Sequence, residues 1–501
     1  MNFEPHLQKF GVKGFRKGQA EILSTVLAGK DTLAVLPTGG GKSLCFQLPA
    51  LIKNELVIVV SPLIALMKDQ AAGLERRGIP SGSLHSGQTL NEKRVIFQRM
   101  NQGGPFVLYL SPERTQKEGF QAWFMQRKIA LIAIDEAHCV SQWGHDFRPE
   151  YAQLKNLKAS RPEIPVLALT ASATPLVLND IARALGLVEP ARHIHGFYRP
   201  NLYYQVEDCG DEHGKFAMLN KCLEQTPTGR VIIYCGTRRT VEDVASSLQS
   251  KFSGVSYYHA GLSAKERTEV QGQYDSGEVR ILVATNAFGM GIDHPDVRAV
   301  VHFNLPANID SLYQEMGRAG RDDQPSTCLL LYTRKDKGLQ GFFITNSDAP
   351  RPIKNSRWNT LNALVDYAES GECRHAEILA YYKDSQRLQR CGHCDICLPN
   401  SDRKIMRPVN ATVKLRKKKS QQDSVGALVG AEKMRFEILR DWRKAKATEL
   451  DVPAFVVFSD RTLIEIAQVH PKALDELEDL YGIGPQKLER FGAEILKLLS
   501  L

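Results

Sequence analysis

No stretch of the 501 residues approaches the roughly 20 consecutive apolar residues of a bilayer-spanning helix. The amino terminus, MNFEPHLQKF, lacks the basic-then-apolar pattern of a secretory signal. Together these absences point to a cytoplasmic protein with no membrane partner. No short-period internal repeat is present, so the chain does not read as a repeat array. A disulfide framework is also missing: of ten cysteines, Cys45, Cys139, Cys209, Cys222, Cys235 and Cys328 lie scattered among apolar or small residues and read as buried thiols in a reducing compartment. Charge of one sign does not dominate either. The formal net charge is +9, which suits a polyanionic partner without proving one.

The 43% hydrophobic content is that of a folded chain, and its length is too great for one core, so several domains are expected. Short Val, Ile and Leu runs at 31–36, 56–60, 106–110, 129–134 and 166–169 alternate with helix-like stretches. A second series follows at 230–234, 255–258, 280–283 and 299–303, after a break near 198–212. This alternation predicts an α/β fold of two tandem parallel-sheet domains with a ligand cleft between them. From about residue 341 the pattern turns helical and then Cys-rich. The predicted organisation is 1–200 and 201–340 for the two α/β domains, 341–400 for a small zinc-binding helical subdomain, 401–430 for a basic flexible linker and 431–501 for a helical domain. Between 401 and 430 eight Lys/Arg face two Asp, including the run from Lys414 to Lys419. That run is either a source of non-specific phosphate attraction or simply a solvated linker.

The segment Leu33-Ala-Val-Leu-Pro-Thr-Gly-Gly-Gly-Lys-Ser43 runs from a strand into a glycine-rich turn and a helix. Its glycines let backbone N–H groups curl around phosphate oxygens, Lys42 reaches the β- and γ-phosphates, and the Ser43 hydroxyl ligates Mg²⁺. Leu36 stands where the strict pattern has Gly, as in superfamily 2 helicases. Further on, Asp135-Glu136 end a buried run; adjacent carboxylates there call for a cation, with Asp135 holding Mg²⁺ through water and Glu136 activating the attacking water. The two motifs together predict an ATPase. Arg318 and Arg321, three apart, would share a helix face and reach from the second domain to the γ-phosphate. The four thiols of Cys373, Cys391, Cys394 and Cys397 have spacings suited to a structural tetrahedral Zn²⁺ site, with His375 and His393 as bystanders.

Taken in order, Phe15–Gln19, Pro37–Ser43, Asp135–His138, Ala168–Thr174, Ala284–Asp293 and Gln314–Arg321 resemble the motifs of the RecQ family of superfamily 2 DNA helicases. Particular to that resemblance is the stretch from Cys139 to Tyr151, similar to the family's aromatic-rich loop. The resemblance implies two RecA-like lobes and nucleotide contacts from Arg16, Gln19, Thr38, Gly39, Gly40, Gly41, Lys42, Ser43, Asp135 and Asp293. Gln19 would read the adenine edge with its amide. Where the family has an aromatic residue upstream, in a Phe-Gly-Tyr context, this chain has Phe10-Gly-Val12. For DNA it implies Ser61, Arg114 and His259 at strand ends. Trp143 and Phe147 would stack bases, with His145 and Arg148 donating to phosphate. Thr170 and Thr174 would link nucleotide state to lobe movement.

Residues 341–400 resemble the family's zinc-binding subdomain, and 434–501 its HRDC domain, where Lys487 and Arg490 flank a Gly-Ile-Gly turn able to cradle a phosphate. The winged-helix domain that most relatives carry has no room in the roughly 33 residues after Cys397, too few for an independent core. The implied activity is an ATP- and Mg²⁺-dependent translocation along single-stranded DNA, 3′ to 5′, with unwinding of forked duplex in recombination and repair. A single-strand-binding protein as partner, a monomeric state and a place at the nucleoid complete the expectation. An RNA helicase and a DNA-binding adaptor with little unwinding are the competing readings.

Overall fold

The computed structural model describes residues 3–37, 39–141, 147–289, 294–384, 386, 388–408, 428–449, 454–458, 460–478, 480, 483 and 485–500. Two parallel sheets organise it. The first contains β1 (Thr32–Val35), β2 (Leu56–Val60), β3 (Ser81–Leu84), β4 (Phe106–Leu110), β5 (Ile129–Ile134), β6 (Val166–Thr170) and β7 (Ala191–Ile194), in the order β3-β4-β2-β5-β6-β1-β7. The second contains β8 (Leu202–Asp208), β9 (Arg230–Tyr234), β10 (Val255–Tyr258), β11 (Ile281–Ala284), β12 (Val297–His302) and β13 (Ser326–Tyr332), in the order β10-β11-β9-β12-β13-β8.

Strands β1, β2 and β4 are buried at every position, as a sheet covered by helices on both faces requires. The expected tandem α/β fold is therefore what forms. Sequence reading overlooked four strands, and their composition explains why. Ser81–Leu84 is serine and glycine but for its last residue, and Ala191–Ile194 is a short edge strand with Arg192 and His193 side by side at its centre. Leu202–Asp208 lies inside the stretch read as a break, and Ser326–Tyr332 beyond the last strand expected. For the first two, tertiary pairing rather than hydrophobic run length makes the strand.

The Cys-rich unit is welded to the second lobe. Arg374, fully buried, donates from Nε to Asp395 Oδ1 (3.0 Å), while Asp395 Oδ2 accepts the Val206 N–H of β8 (3.0 Å). The rings of Phe197 and Tyr382 stack with centroids 4.0 Å apart, and Asp384 Oδ2 accepts the Phe197 N–H at 3.2 Å. The expected linker begins later than 401. Ile405 is buried in the second lobe's core, and its backbone N–H and C=O both pair with the Gln205 amide at 2.9 Å. Arg407 pairs with Glu207. Residues 401–408 thus finish the second lobe; the basic run 414–419 lies outside the described residues.

The last part has its own core, including Phe436, Leu439, Phe458, Leu463, Ile466 and Ile495, drawn from helices that include Ala431–Glu449, Asp460–Val469 and Pro485–Leu499. Among the described residues no helix is long and apolar enough to cross a membrane. The six scattered cysteines are all buried, and burial pushes the thiols of Cys45, Cys209, Cys222 and Cys328 up to about 12, which leaves them unreactive.

Candidate nucleotide and nucleic-acid site

Strand β1 delivers the chain into the phosphate loop, and helix Lys42–Lys53 carries it away with Gly41 as N-cap. Gly39 and Gly41 sit at φ +79° and +75°, a conformation that costs other residues about 1–2 kcal/mol. Space is as restrictive as the dihedrals. A Cβ on Gly41 would lie 2.4 Å from Gln19 Nε2, and one on Gly40 would lie 2.9 Å from the Pro37 carbonyl oxygen. Thr38, within the loop, lies outside the described residues.

Gln19 is buried, and its amide is engaged with the loop itself. Its Nε2 donates to the carbonyls of Gly40 (3.2 Å) and Gly41 (3.0 Å), while its Oε1 accepts the Arg16 N–H at 2.7 Å. The Arg16 guanidinium adds a bond to the Gly39 carbonyl. In this structure Gln19 and Arg16 clamp the phosphate loop from behind, and the amide is not turned outward to read an adenine edge. Phe10, from the upstream Phe-Gly-Val, is buried in the core beneath, so it offers no stacking face.

At the end of β5, Asp135 and Glu136 face the loop. Burial, then repulsion from Glu136, raises the Asp135 carboxyl to about 7, and the Lys42 charge works against the rise. Lys42 is thus close enough to be felt, and the site is short of positive charge, as expected of residues that hold a divalent cation. Glu136 is held at φ +48°, a strained position for a side-chain-bearing residue and one of six such among the described residues. Its Oε2 stands 3.3 Å from His138 Nδ1.

From there a polar chain leads to the other lobe. The Thr170 hydroxyl donates to the Ser172 carbonyl (3.0 Å), so at its 3.0 Å contact with His138 it must accept, which places the proton on His138 Nδ1. Gln314 of the second lobe donates from Nε2 to Ser172 Oγ at 3.2 Å. Glu136, His138, Thr170, Ser172 and Gln314 therefore connect the carboxylate at the end of β5 to the opposite lobe. Sequence reading singled out Thr170 but missed His138 and Ser172 as links, because only the fold brings β5 and β6 ends together.

The two arginines separate in role. Arg321 crosses to the first lobe: a Cβ on Gly39 would lie 3.2 Å from its Cγ. Arg318 is buried in its own lobe and donates to the Gly289 carbonyl. It also bonds the Tyr234 hydroxyl, whose ionisation burial suppresses. Of the two, Arg321 lies against the glycine-rich loop of the first lobe and Arg318 stays within its own lobe. Arg199, which sequence reading did not single out, builds the turn between them: its buried guanidinium donates to the carbonyls of Ala319 and Gly320, both at 3.0 Å. Asp293 lies outside the described residues.

The residues expected from the sequence to contact nucleic acid are distributed around the lobe ends. Among the described residues Ser61, buried at the end of β2, has no partner for its Oγ, and Arg114, after β4, has none for its buried Nε. Phe147 is exposed at 37%, as a stacking platform requires, while Arg148 donates to the Pro62 carbonyl at 3.3 Å and so ties the aromatic loop to the Ser61 turn. Trp143 and His145 lie outside the described residues. His259 departs from expectation. It is buried, its Nδ1 accepts the Gly261 N–H (3.2 Å) and its Nε2 pairs with Glu242 (2.9 Å), so the ring shapes its loop and has no nitrogen left for a phosphate. In the last domain Lys487 and Arg490 lie over the rings of Phe458 and Phe491, at 4.9 and 5.2 Å from the centroids.

The sulfurs of Cys373, Cys391, Cys394 and Cys397 lie within 4.8 Å of one another. The Cys391 N–H points at Cys373 Sγ (3.2 Å) and the His393 N–H at Cys391 Sγ (3.4 Å), the outer hydrogen bonds that stabilise metal-bound thiolates. The donor set fits zinc. His375 bonds the Arg199 carbonyl (3.2 Å) and stacks on Tyr204 at 4.1 Å, and His393 meets the Tyr198 hydroxyl at 3.0 Å, so each has one ring nitrogen engaged outside the thiol cluster.

Comparison with known proteins agrees with this geometry. Residues 16–181 match the DEAD/DEAH box helicase family, 214–323 the helicase conserved C-terminal domain, 334–398 the RecQ zinc-binding family and 432–499 the HRDC domain. The ATP-dependent DNA helicase RecQ of Haemophilus influenzae is 34% identical over 98% of this chain and 94% of its own length. That alignment runs to 589 positions, so at least 88 of them stand opposite gaps in this chain. The probable ATP-dependent DNA helicase RecS of Bacillus subtilis is 42% identical over 66% of this chain and 67% of its own length. Among solved structures, Mycobacterium smegmatis helicase Lhr bound to ssDNA and AMP-PNP superposes with a TM-score of 0.53 at 20% identity, covering 74% of this chain and 53% of that one. Saccharomyces cerevisiae Dbp5 bound to RNA and ADP BeF3 gives 0.52 at 17%, covering 71% and 96%. These two likenesses speak to the fold alone. With the relatives' near full-length identity, the paired helicase domains, the zinc-binding unit and the HRDC domain in one order, the chain belongs to the RecQ family of ATP-dependent DNA helicases.

Proposed function

We propose that the two lobes form an ATP-driven motor that steps 3′ to 5′ along single-stranded DNA and opens forked duplex during recombination and repair. One observation carries this reading: Arg321 of the second lobe abuts Gly39 of the phosphate loop while Gln314 bonds Ser172 beside it. A nucleotide at that loop touches both lobes at once, so hydrolysis changes the contact that holds them together.

In this scheme Lys42 and the N–H groups of Gly39, Gly40 and Gly41 grip the phosphates, and Arg16 and Gln19 fix the loop's shape. Ser43 and Asp135 hold Mg²⁺, which neutralises phosphate charge when bound. Glu136 takes the proton of the attacking water. Arg321 supports charge on the γ-phosphate, and Arg318, held on Gly289, keeps the arginine turn in register with Tyr234. Phe147 stacks a base, with Arg148 as its tether to the Ser61 turn. Cys373, Cys391, Cys394 and Cys397 hold one Zn²⁺ as a structural tie. The domain assignment is 1–200 and 201–340 for the lobes, 341–400 for the zinc unit and 431–501 for the terminal module.

The protein acts in the cytoplasm at the nucleoid, as a monomer, with single-strand-binding protein as a partner at the displaced strand. A second reading, an adaptor that uses ATP to switch DNA affinity, draws on the short stretch between the zinc unit, matched to residue 398, and the HRDC domain, matched from residue 432. Unwinding of a forked duplex, with Lys42→Ala as control, decides between motor and adaptor. ATP-dependent strand separation lost in the control supports the motor; ATP-dependent binding without separation supports the adaptor. Stimulation of ATP hydrolysis by single-stranded DNA but not RNA, at fixed salt, excludes the RNA-helicase alternative.

A further inference from the structure

At the edge of the first lobe, His193 of edge strand β7 and His195, the residue just past its end, lie beside Glu21 on helix Gln19–Leu27. The His195 N–H still bonds the Val35 carbonyl of β1 (3.0 Å), so the two histidines, two apart along extended chain, share one face of the sheet. One ligand atom from each of the three residues lies within 4.8 Å of the others. The separation of His195 Nε2 from Glu21 Oε2 is 3.1 Å, and that of His193 Nδ1 from the same oxygen is 4.0 Å. Ligands about 2.0–2.1 Å from one tetrahedral or octahedral ion stand about 3.0–3.4 Å apart, so the first pair is already at ligand spacing and the second needs only a small side-chain adjustment.

Hydrogen bonding also sets the donor state of His193. The Thr25 hydroxyl spends its single proton on the Glu21 carbonyl (2.8 Å), so at its 3.0 Å contact with His193 Nε2 the ring must donate. His193 Nδ1 is then the bare lone pair, aimed at the Glu21 carboxylate. His195 Nε2 is buried and makes no hydrogen bond of good geometry. Two imidazoles and a carboxylate on one face, with solvent access on the Glu21 side, match the donor preference of first-row divalent ions such as Zn²⁺ or Ni²⁺.

We infer that Glu21, His193 and His195 form a second metal site, separate from the four-cysteine cluster, taking a first-row divalent cation with solvent in its remaining positions. Its placement gives it a consequence. The His195 ring packs on Gly18, where a Cβ would lie 2.5 Å from its Cδ2, and the next residue, Gly196, lies against Pro37, where a Cβ would lie 2.9 Å from Cδ. Gly18 caps the helix whose first residue, Gln19, clamps the phosphate loop. An ion joining β7 to that helix therefore stiffens the mount of the clamp and tightens nucleotide binding, an effect that rests on the phosphate-loop assignment above.

The test uses full-length protein with its cysteine site loaded. Zinc content after dialysis against Zn²⁺, read by atomic emission, is compared with that of His193→Ala/His195→Ala and of Glu21→Gln. Two ions per chain in the parent and one in the double variant, with unchanged melting in metal-free buffer, is the expected result. Removing a ligand should weaken Zn²⁺ binding beyond the roughly 10–100-fold caused by losing an outer-shell partner. A Ni²⁺ titration of the zinc-loaded protein, followed through the d–d absorption of the bound ion, should give one equivalent in the parent and none in the double variant. One ion per chain in the parent, or two in the double variant, overturns the site. A fluorescent ATP analogue then reads the consequence. Affinity that rises with Zn²⁺ in the parent but not in the double variant supports the stiffening, and an equal response in both refutes it. Loss of nucleotide binding in every protein, with the metal count intact, would instead strike the phosphate-loop assignment.

Discussion

Replacing Gln314 by Ala removes one bond, the 3.2 Å contact from its amide to Ser172 Oγ that joins the second lobe to the end of β6. A neutral hydrogen bond contributes a net of about 0.5–1.5 kcal/mol, which is a roughly 2–13-fold change in the population of closed lobes. DNA-stimulated hydrolysis, which needs the lobes together, should fall by that factor, and basal hydrolysis should fall less. Thr170→Val breaks the same chain one step earlier, because the Thr170 hydroxyl holds both Ser172 and His138. If the chain acts as one unit, the double variant loses less than the sum of the single losses, with a coupling of about 0.5–1.5 kcal/mol. Steady-state hydrolysis with and without single-stranded DNA, on all four proteins, supplies the cycle. Additivity within about 0.3–0.5 kcal/mol, or equal loss of basal and stimulated rates in Gln314→Ala, would refute the relay.

Other expectations follow from single sites. Glu136→Gln should abolish turnover while leaving the unfolding transition in place; substantial residual hydrolysis would remove Glu136 from the base role. Because the Asp135 carboxyl is raised to about 7 in the folded protein, metal-free stability should fall as pH rises from about 4 toward 7 and then level off. Mg²⁺ binding should conversely strengthen over the same interval, by up to about tenfold per pH unit, and a Mg²⁺ titration flat across pH 5–8 would contradict the buried carboxyl. Phe147→Ala should reduce stimulation by DNA more than basal hydrolysis, whereas equal loss would assign the ring to packing. Cys391→Ser should lower bound zinc and reduce stability by several kcal/mol, and normal metal content would undo the four-thiolate set.

Much of this site could be read before folding was considered, for a physical reason. The phosphate loop, the Asp135-Glu136 pair and the cysteine spacings each place several functional atoms within a few residues, so local sequence contains most of their geometry. Contacts made by distant segments could not be read that way. Gln19 looked like an adenine reader because its amide has both a donor and an acceptor; only the packing of its helix beneath the loop directs those atoms to Gly40, Gly41 and Arg16. Arg318 and Arg321 look equivalent in the sequence. The bond to Gly289 holds one in its own lobe and leaves the other at Gly39. The edge strand Ala191–Ile194 has too little hydrophobic character to announce itself, and with it went any hint that His193 and His195 would meet Glu21.

Arg199 joins the turn it builds to the Cys-rich unit. Its guanidinium holds Ala319 and Gly320, and its own carbonyl is held by His375, whose chain neighbour but one is Cys373. The thiol cluster and the arginine that meets the phosphate loop are thus opposite ends of one short mechanical linkage. Stripping the metal should do more than soften a remote knuckle. It should let the fingertip drift, so that a chelator slows hydrolysis before it unfolds the protein.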